Sequence, residues 1–245
     1  MSTIQDKVII IMGASSGIGE ATTKLLAQQN AKLIIAARRL DRLKAIKEEF
    51  PEADILIQQA DVTNYEDVNK VVELGMDTYG RIDVIFNNAG IMPTAPIVEG
   101  RRDEWQKMLD INVMGVLNGI AAVVPIMAKQ KSGHIISTDS VAGHVVYPNS
   151  AVYCGTKFAV RAIMEGLRQE QRENNIKSTI ISPGAVATEL YKTINDKNVS
   201  EDLHQAQKEW GLVPEDIASA VVFAIYTPER MAVSDMIIRP TTQPI

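Results

Sequence analysis

Short runs of β-branched and aliphatic residues recur along the chain, and between them the apolar positions spread to one in every three or four. The continuous blocks are Val8–Ile11, Lys32–Ala37, Asp54–Gln58, Val84–Asn87, His134–Thr138, Lys177–Ser182 and Asp235–Ile238. Blocks of this length and polarity predict strands buried on both faces, as in a parallel sheet. The stretches between them carry helical periodicity at Gly17–Gln29, Leu40–Glu49, Tyr65–Tyr79, Arg102–Lys129, Tyr153–Asn174 and Pro214–Tyr226. Pro214 suits a first helical turn, where its missing N–H is not needed. The alternation predicts an α/β fold, a doubly wound parallel sheet of about seven strands flanked by helices, as one domain over residues 1–245.

Two segments break the pattern. Met92 to Gly100 is proline-rich, and Gly184 to Gly211 is mixed and polar, with weak helical character at Glu201–Trp210. Long connections of this kind often contact substrate, so residues 185–211 are a candidate lid. No low-complexity linker or internal repeat divides the chain.

The net charge of −5 argues against a nucleic-acid partner. A single cysteine, Cys154, excludes an internal disulfide and fits a reducing cytosol. Met1-Ser2-Thr3-Ile4-Gln5-Asp6 has no signal-peptide layout, and no apolar stretch is read as reaching the ~20 residues that cross a bilayer. The expectation is a cytoplasmic protein with no membrane partner. His134 and His204 lack metal-ligand spacing, so no metal is expected.

The first block runs into Gly13-Ala14-Ser15-Ser16-Gly17-Ile18-Gly19 and then a helix. Glycines let the backbone turn tightly against a pyrophosphate, and a helix start offers free N–H groups and partial positive charge. This spacing, G-x-x-x-G-x-G, differs from the general dinucleotide fingerprint. A fold that takes NAD typically carries an acid about 20 residues on, to bond the ribose 2′-hydroxyl. Ala36-Ala37-Arg38-Arg39 stands there instead. Arg38, helped by Ser15 and Arg39, therefore favours the 2′-phosphate of NADP (NADPH), through a charge-assisted fork. The plainer alternative is that both arginines solvate a helix start.

Proton-transfer chemistry is legible further on. Tyr153 and Lys157 stand at i and i+4, one turn apart on one helical face. An ammonium beside a phenol favours the phenolate and lowers its pKa from about 10. Ser140 follows the fifth block at its carboxyl end, where open α/β sheets hold ligands, so its hydroxyl can stabilise a developing oxyanion. Ser137 competes for that role but lies inside the strand. Taken singly, each residue has a plainer reading: a packed tyrosine, a surface lysine, a loop serine. Cys154 reads as a small packing residue. His144 either touches substrate or is a hydrogen-bonded loop residue.

These motifs, with Asn87-Asn88-Ala89-Gly90 and Asn112, resemble the short-chain dehydrogenase/reductase family along almost the whole chain. The resemblance implies a Rossmann-like fold and an NADP-dependent oxidoreductase whose catalytic set is Ser140, Tyr153, Lys157 and Asn112. In that set Asn112 would anchor a water linking Lys157 to solvent, and Lys157 would also bond the nicotinamide ribose. Cofactor contacts would come from Gly13, Ser15, Ser16, Gly17, Ile18, Gly19, Arg38, Arg39, Asp61, Val62, Asn88, Ala89, Gly90, Pro183, Gly184, Val186 and Thr188, together with Tyr153 and Lys157. Asp61 and Val62 would border the adenine, although Asp61 can also cap the helix near Tyr65. Asn87, Ala89 and Gly90 would pack on the ribose and nicotinamide side.

The Y-x-x-x-K spacing and chain length resemble the ordinary short branch, near carbonyl reductases and 3-hydroxy acid dehydrogenases. A pocket wall of Met92, Val141, Val145, Val146, Tyr147, Val186, Leu190 and Tyr191 is mostly apolar. It favours a small-molecule ketone, aldehyde or secondary alcohol. A 3-hydroxy acid of the serine type would instead need a cation from Arg101, Arg102 or Lys192. A non-catalytic NADP-binding regulator is the alternative of another class. The family implies a homotetramer or homodimer that pairs the helices at Arg102–Lys129 and Tyr153–Asn174.

Overall fold

All seven apolar blocks become strands of one sheet in a computed structural model that describes residues 3–243. They are β1 (Val8–Met12), β2 (Lys32–Ala37), β3 (Ile55–Gln59), β4 (Val84–Asn87), β5 (Gly133–Thr138), β6 (Ile176–Pro183) and β7 (Asp235–Ile238). Their order is β3-β2-β1-β4-β5-β6-β7, with every neighbouring pair parallel. The chain reverses its winding between β1 and β4, and in such sheets the crevice at that reversal, outside the carboxyl ends, takes ligands.

Side chains alternate across each strand, so the sheet builds two cores. Ile9, Ile11 and Leu33 pack with α1 (Gly17–Ala27), α2 (Leu40–Glu49) and α8 (Pro214–Tyr226) through Leu26, Leu43 and Val221. Ile10, Ile34 and Ile85 face α3 (Tyr65–Tyr79), α5 (Gly115–Gln130) and α6 (Ala151–Glu170) through Val72, Val123 and Val160. Both sets are closed to solvent, as the unbroken apolar blocks require.

The helix expected over Arg102–Lys129 is interrupted. It runs as α4 (Arg102–Met108), a π-helical turn at Leu109–Met114, and then α5. Such one-residue widenings re-aim a side chain. Here Asn112 is turned inward, where its amide bonds both backbone groups of Ile91 at 2.9 Å. The reading that no stretch reaches bilayer length also needs correction. The joined helix Arg102–Gln130 is long and apolar enough by composition, and nearly half of its most apolar stretch is buried. Its apolar character serves packing on the sheet and on α3.

In the polar segment 185–211, Thr188 caps a short 3-10 turn at Glu189–Thr193, and Asp196 caps α7 (Lys197–Trp210). That helix starts earlier than the Glu201 boundary expected, because the Asp196 carboxylate satisfies the free N–H groups of Asn198 and Val199.

Candidate active site

The turn after β1 is built on left-handed glycines. Gly13 has φ +84°, and a Cβ there would lie 2.7 Å from the Ala89 backbone nitrogen. Gly17 has φ +56° and opens α1 beneath the Thr188 side chain. Ser16 caps α1 in extended conformation without a side-chain cap bond, which leaves the first-turn N–H groups directed outward. Asn88 ties this turn to the next strand end: its Nδ2 donates to Gly13 O at 3.1 Å, and its Oδ1 accepts from Thr138 at 2.9 Å. Ala89 therefore buttresses the turn from below, whereas Gly90 lies beside the Asn112 amide. Asn87 faces Gly119 of α5, not the turn.

The two arginines after β2 diverge. Arg39 directs its guanidinium into the turn, with Nε donating to Ser15 Oγ at 3.2 Å and one Nη to Ser16 Oγ at 2.6 Å. Arg38, which the sequence reading put first, is exposed, and its carbonyl accepts from Gln59. The reason is local: Arg39 holds the position before α2 with φ −88° and ψ 85°, and that bend swings the second arginine toward the glycines. Free helix-start N–H groups and a guanidinium together form the donor set of a phosphate-bearing ligand.

Asp61 does not cap α3. It closes its own Asx turn by accepting from Thr63 N and Oγ1 at 3.0 and 2.9 Å, and Asn64 is the cap. Val62 packs over Gly115 and gives its carbonyl to Asn118. Beyond β6, Pro183 ends the strand, Gly184 bonds back to Ile238 O, and Val186 is buried in a bridge with Leu212. Thr188 leans on Gly17.

Ser140, Tyr153 and Lys157 share the carboxyl end of β5. Ser140 Oγ accepts from Ala142 N at 3.1 Å and hydrogen-bonds the Tyr153 phenol. Lys157 Nζ lies 5.8 Å from the Tyr153 ring centre and donates to Thr138 O at 2.8 Å. Asn112 touches this group only through Thr156, whose hydroxyl accepts from its Nδ2 at 3.2 Å. Ser137 is spent on Met164 inside the strand, and Cys154 is buried in packing.

The electrostatics depart from the expectation for the phenol. Burial pushes Tyr153 well above its ordinary value, and the Ser140 hydroxyl pulls it down only in part. Spacing correctly put lysine and tyrosine on one face, yet the ammonium is turned toward a carbonyl and is itself lowered by burial.

One acid escaped the sequence reading. Asp139 sits between Thr138 and Ser140, its carboxylate pressed against Gly143 and 2% exposed as a residue. Its Oδ2 accepts from Ser182 Oγ at 3.5 Å and lies 3.8 Å from His144 Nε2, while Oδ1 has no partner among the described residues. Burial raises this carboxyl from 3.8 to about 6, against the pull of Lys157. Outward from it, Ser182 bonds His144 at 3.0 Å and Asp235 at 3.2 Å. His144 is thus a hydrogen-bonded residue that burial holds below its ordinary value, so it is neutral at pH 7. A carboxylate closing an otherwise apolar strand was the available signal.

The apolar wall differs from the one read in sequence. A cleft of about 510 Å³ is lined by Pro96, Ile97, Val98, Val146, Tyr147, Pro148, Asn149 and Ala151. Tyr153 borders a small adjoining hollow together with Trp105, Met108 and Ala95. Of the expected wall, Val146 and Tyr147 line the cleft, whereas Val141 and Val186 are buried in packing.

The comparisons with known proteins agree with this architecture. A family model described as short chain dehydrogenase matches residues 7–199. The chain is 51% identical over 245 residues to an uncharacterised oxidoreductase of Staphylococcus saprophyticus, covering 99% of each. A serine dehydrogenase solved in closed form with NADP+ superposes with a TM-score of 0.91 at 30% identity, covering 97% of this chain and 96% of that one. A short-chain dehydrogenase/reductase of Burkholderia phymatum solved with NAD superposes at 0.87 with 25% identity, covering 97% and 90%. A glycine turn opening α1, the β3-β2-β1-β4-β5-β6-β7 sheet and full-length likeness to an oxidoreductase converge: the chain belongs to the short-chain dehydrogenase/reductase family.

Proposed function

We propose that this oxidoreductase interconverts a small ketone or aldehyde and its alcohol with NADP(H). The observation that carries the reading is the buried corner where Ser140 bonds the Tyr153 phenol and Lys157 lies within 6 Å of its ring. A bound nicotinamide would supply the hydride in carbonyl reduction and, in its oxidised form, accept it in alcohol oxidation. In carbonyl reduction Tyr153 delivers the proton to the oxygen as negative charge develops, and Ser140 donates a hydrogen bond to the same oxygen. Lys157, held at Thr138 O, stands ready to stabilise the phenolate that remains. Arg39 is the side chain we assign to the 2′-phosphate, with Ser15 and Ser16 beside it.

A serine-type hydroxy acid is the second reading, favoured by the likeness to a serine dehydrogenase. Against it, Arg101 is paired with Glu99 and Glu104, Lys192 is paired with Glu189, and Arg102 is exposed. The apolar cleft between the 96–98 and 146–149 loops supports an uncharged substrate. Half-exposed Leu109, Met114 and Phe158 on the two long helices support pairing of copies in a homodimer or homotetramer.

The test is NADPH oxidation over ketones, aldehydes and 3-oxo acids, repeated with Tyr153→Phe. Loss of the acid should lower kcat/KM by about 10²–10⁴ while NADPH still binds. A variant that reduces carbonyls at the wild-type rate removes Tyr153 from the mechanism.

A further inference from the structure

Glu189 is 150 residues from Arg39 in the chain, yet it holds the same guanidinium that serves the glycine turn. Its Oε2 accepts from one Arg39 Nη at 2.8 Å and from Arg42 at 3.3 Å. Its Oε1 accepts from Arg42 at 3.4 Å and from Lys192 Nζ at 2.7 Å. Bonds from Lys192 first and Arg39 second hold its carboxyl down at about 2, so it is anionic at neutral pH.

Each of the three Arg39 nitrogens therefore already has a partner. Nε faces Ser15, one Nη faces Ser16, and the other faces the Glu189 carboxylate. A 2′-phosphate seated on this fork wants two parallel N–H donors and brings nearly two negative charges. It cannot share an Nη with a carboxylate without like-charge repulsion. A 2′-hydroxyl makes no such demand, since it can bond Ser15 or the carboxylate itself.

We infer that Glu189 is a cofactor-specificity residue: its carboxylate competes with the 2′-phosphate for Arg39, so it weakens NADP(H) binding and leaves NAD(H) binding alone. The inference rests on the reading that Arg39 faces the 2′ position of a bound dinucleotide. It also gives the turn at Glu189–Thr193 a role on the adenosine side. Its far end is separately moored, because Thr193 Oγ1 accepts from Met92 N at 2.8 Å.

The experiment is equilibrium titration of NADPH and NADH, by nicotinamide fluorescence, on the wild type and on Glu189→Gln, Arg39→Ala and the double variant. Glu189→Gln keeps the shape and removes the charge. It should tighten NADPH binding about fivefold, the scale of an exposed charge interaction, and change NADH binding less than about twofold. In the Arg39→Ala background the same substitution should have no effect on NADPH, because the contested donor is gone. Unchanged or weakened NADPH binding in Glu189→Gln overturns the inference, as does equal tightening of NADH. The two levels separate cleanly. If Arg39→Ala weakens NADPH but Glu189→Gln does nothing, only the competition is wrong. If Arg39→Ala affects neither cofactor, the placement of the 2′ position fails with it.

Discussion

Replacing Asp139 by asparagine should stabilise the protein, and more at neutral pH than in acid. The carboxyl is buried beside Gly143 with Oδ1 unpartnered among the described residues, and its pKa rises from 3.8 in the unfolded chain to about 6 in the fold. A carboxyl whose folded value is raised contributes its full stability below the unfolded value and loses it as pH climbs through the folded value. Each unit of that gap corresponds to about 1.4 kcal/mol, so ionised Asp139 costs ~3 kcal/mol at pH 7.5 and ~1 kcal/mol at pH 4.5.

Asparagine cannot ionise. The gain on substitution should therefore be larger at pH 7.5 than at pH 4.5 by ~2 kcal/mol. This difference of differences is the quantity to measure. Repacking against Gly143 and altered bonds to Ser182 are the same at both pH values and cancel. Charged and titratable groups around the carboxyl are Lys157, which favours its ionisation, Asp235, which opposes it, and His144 and Tyr153, both neutral at these pH values or at the higher of them. Urea unfolding of both proteins at the two pH values supplies the four free energies. A pH-independent effect, or a loss that grows toward neutrality, would refute the account. It would mean that Asp139 is held as a well-paired anion by Lys157.

Two further outcomes follow from the same geometry. Arg39→Ala should weaken NADPH binding roughly tenfold and Arg38→Ala should barely change it, since only the first guanidinium reaches Ser15 and Ser16; titration of both variants checks this. Asn112→Ala leaves the partly buried N–H and carbonyl of Ile91 without the Asn112 amide and should lower stability by about 1–3 kcal/mol, read as a drop in Tm.

What the chain discloses by itself follows from the range of the interactions. Strands were legible because a parallel sheet covered on both faces demands unbroken apolar blocks, and the strand-length runs at Val8–Met12 and Lys32–Ala37 meet that demand. The glycine turn was legible because its left-handed backbone at Gly13 and Gly17 narrows the residue choice locally. Asn112 was picked out through the family motif, but the turn that aims it inward was not, for a π turn adds one residue to an apolar run whose periodicity hardly changes. Arg38 and Arg39 are chemically equivalent in sequence, and only the dihedral angles at the β2–α2 junction decide which one faces the turn. Glu189 had no signal at all, because its partner is distant along the chain.

The phenol shows how spacing and environment divide the problem. An i, i+4 pair guarantees that Tyr153 and Lys157 meet on one face, but the protonation state is set by what covers that face. Burial and the Asp139 charge both hold Tyr153 in its neutral form, and only Ser140 opposes them. For the reaction proposed, a neutral phenol is the proton donor that carbonyl reduction requires, whereas alcohol oxidation requires the phenolate. Lys157 Nζ donates to Thr138 O within reach of the ring, so it can stabilise charge as it forms on the phenol oxygen. The resting protonation state of the phenol is thus set by desolvation, a property that no residue spacing encodes.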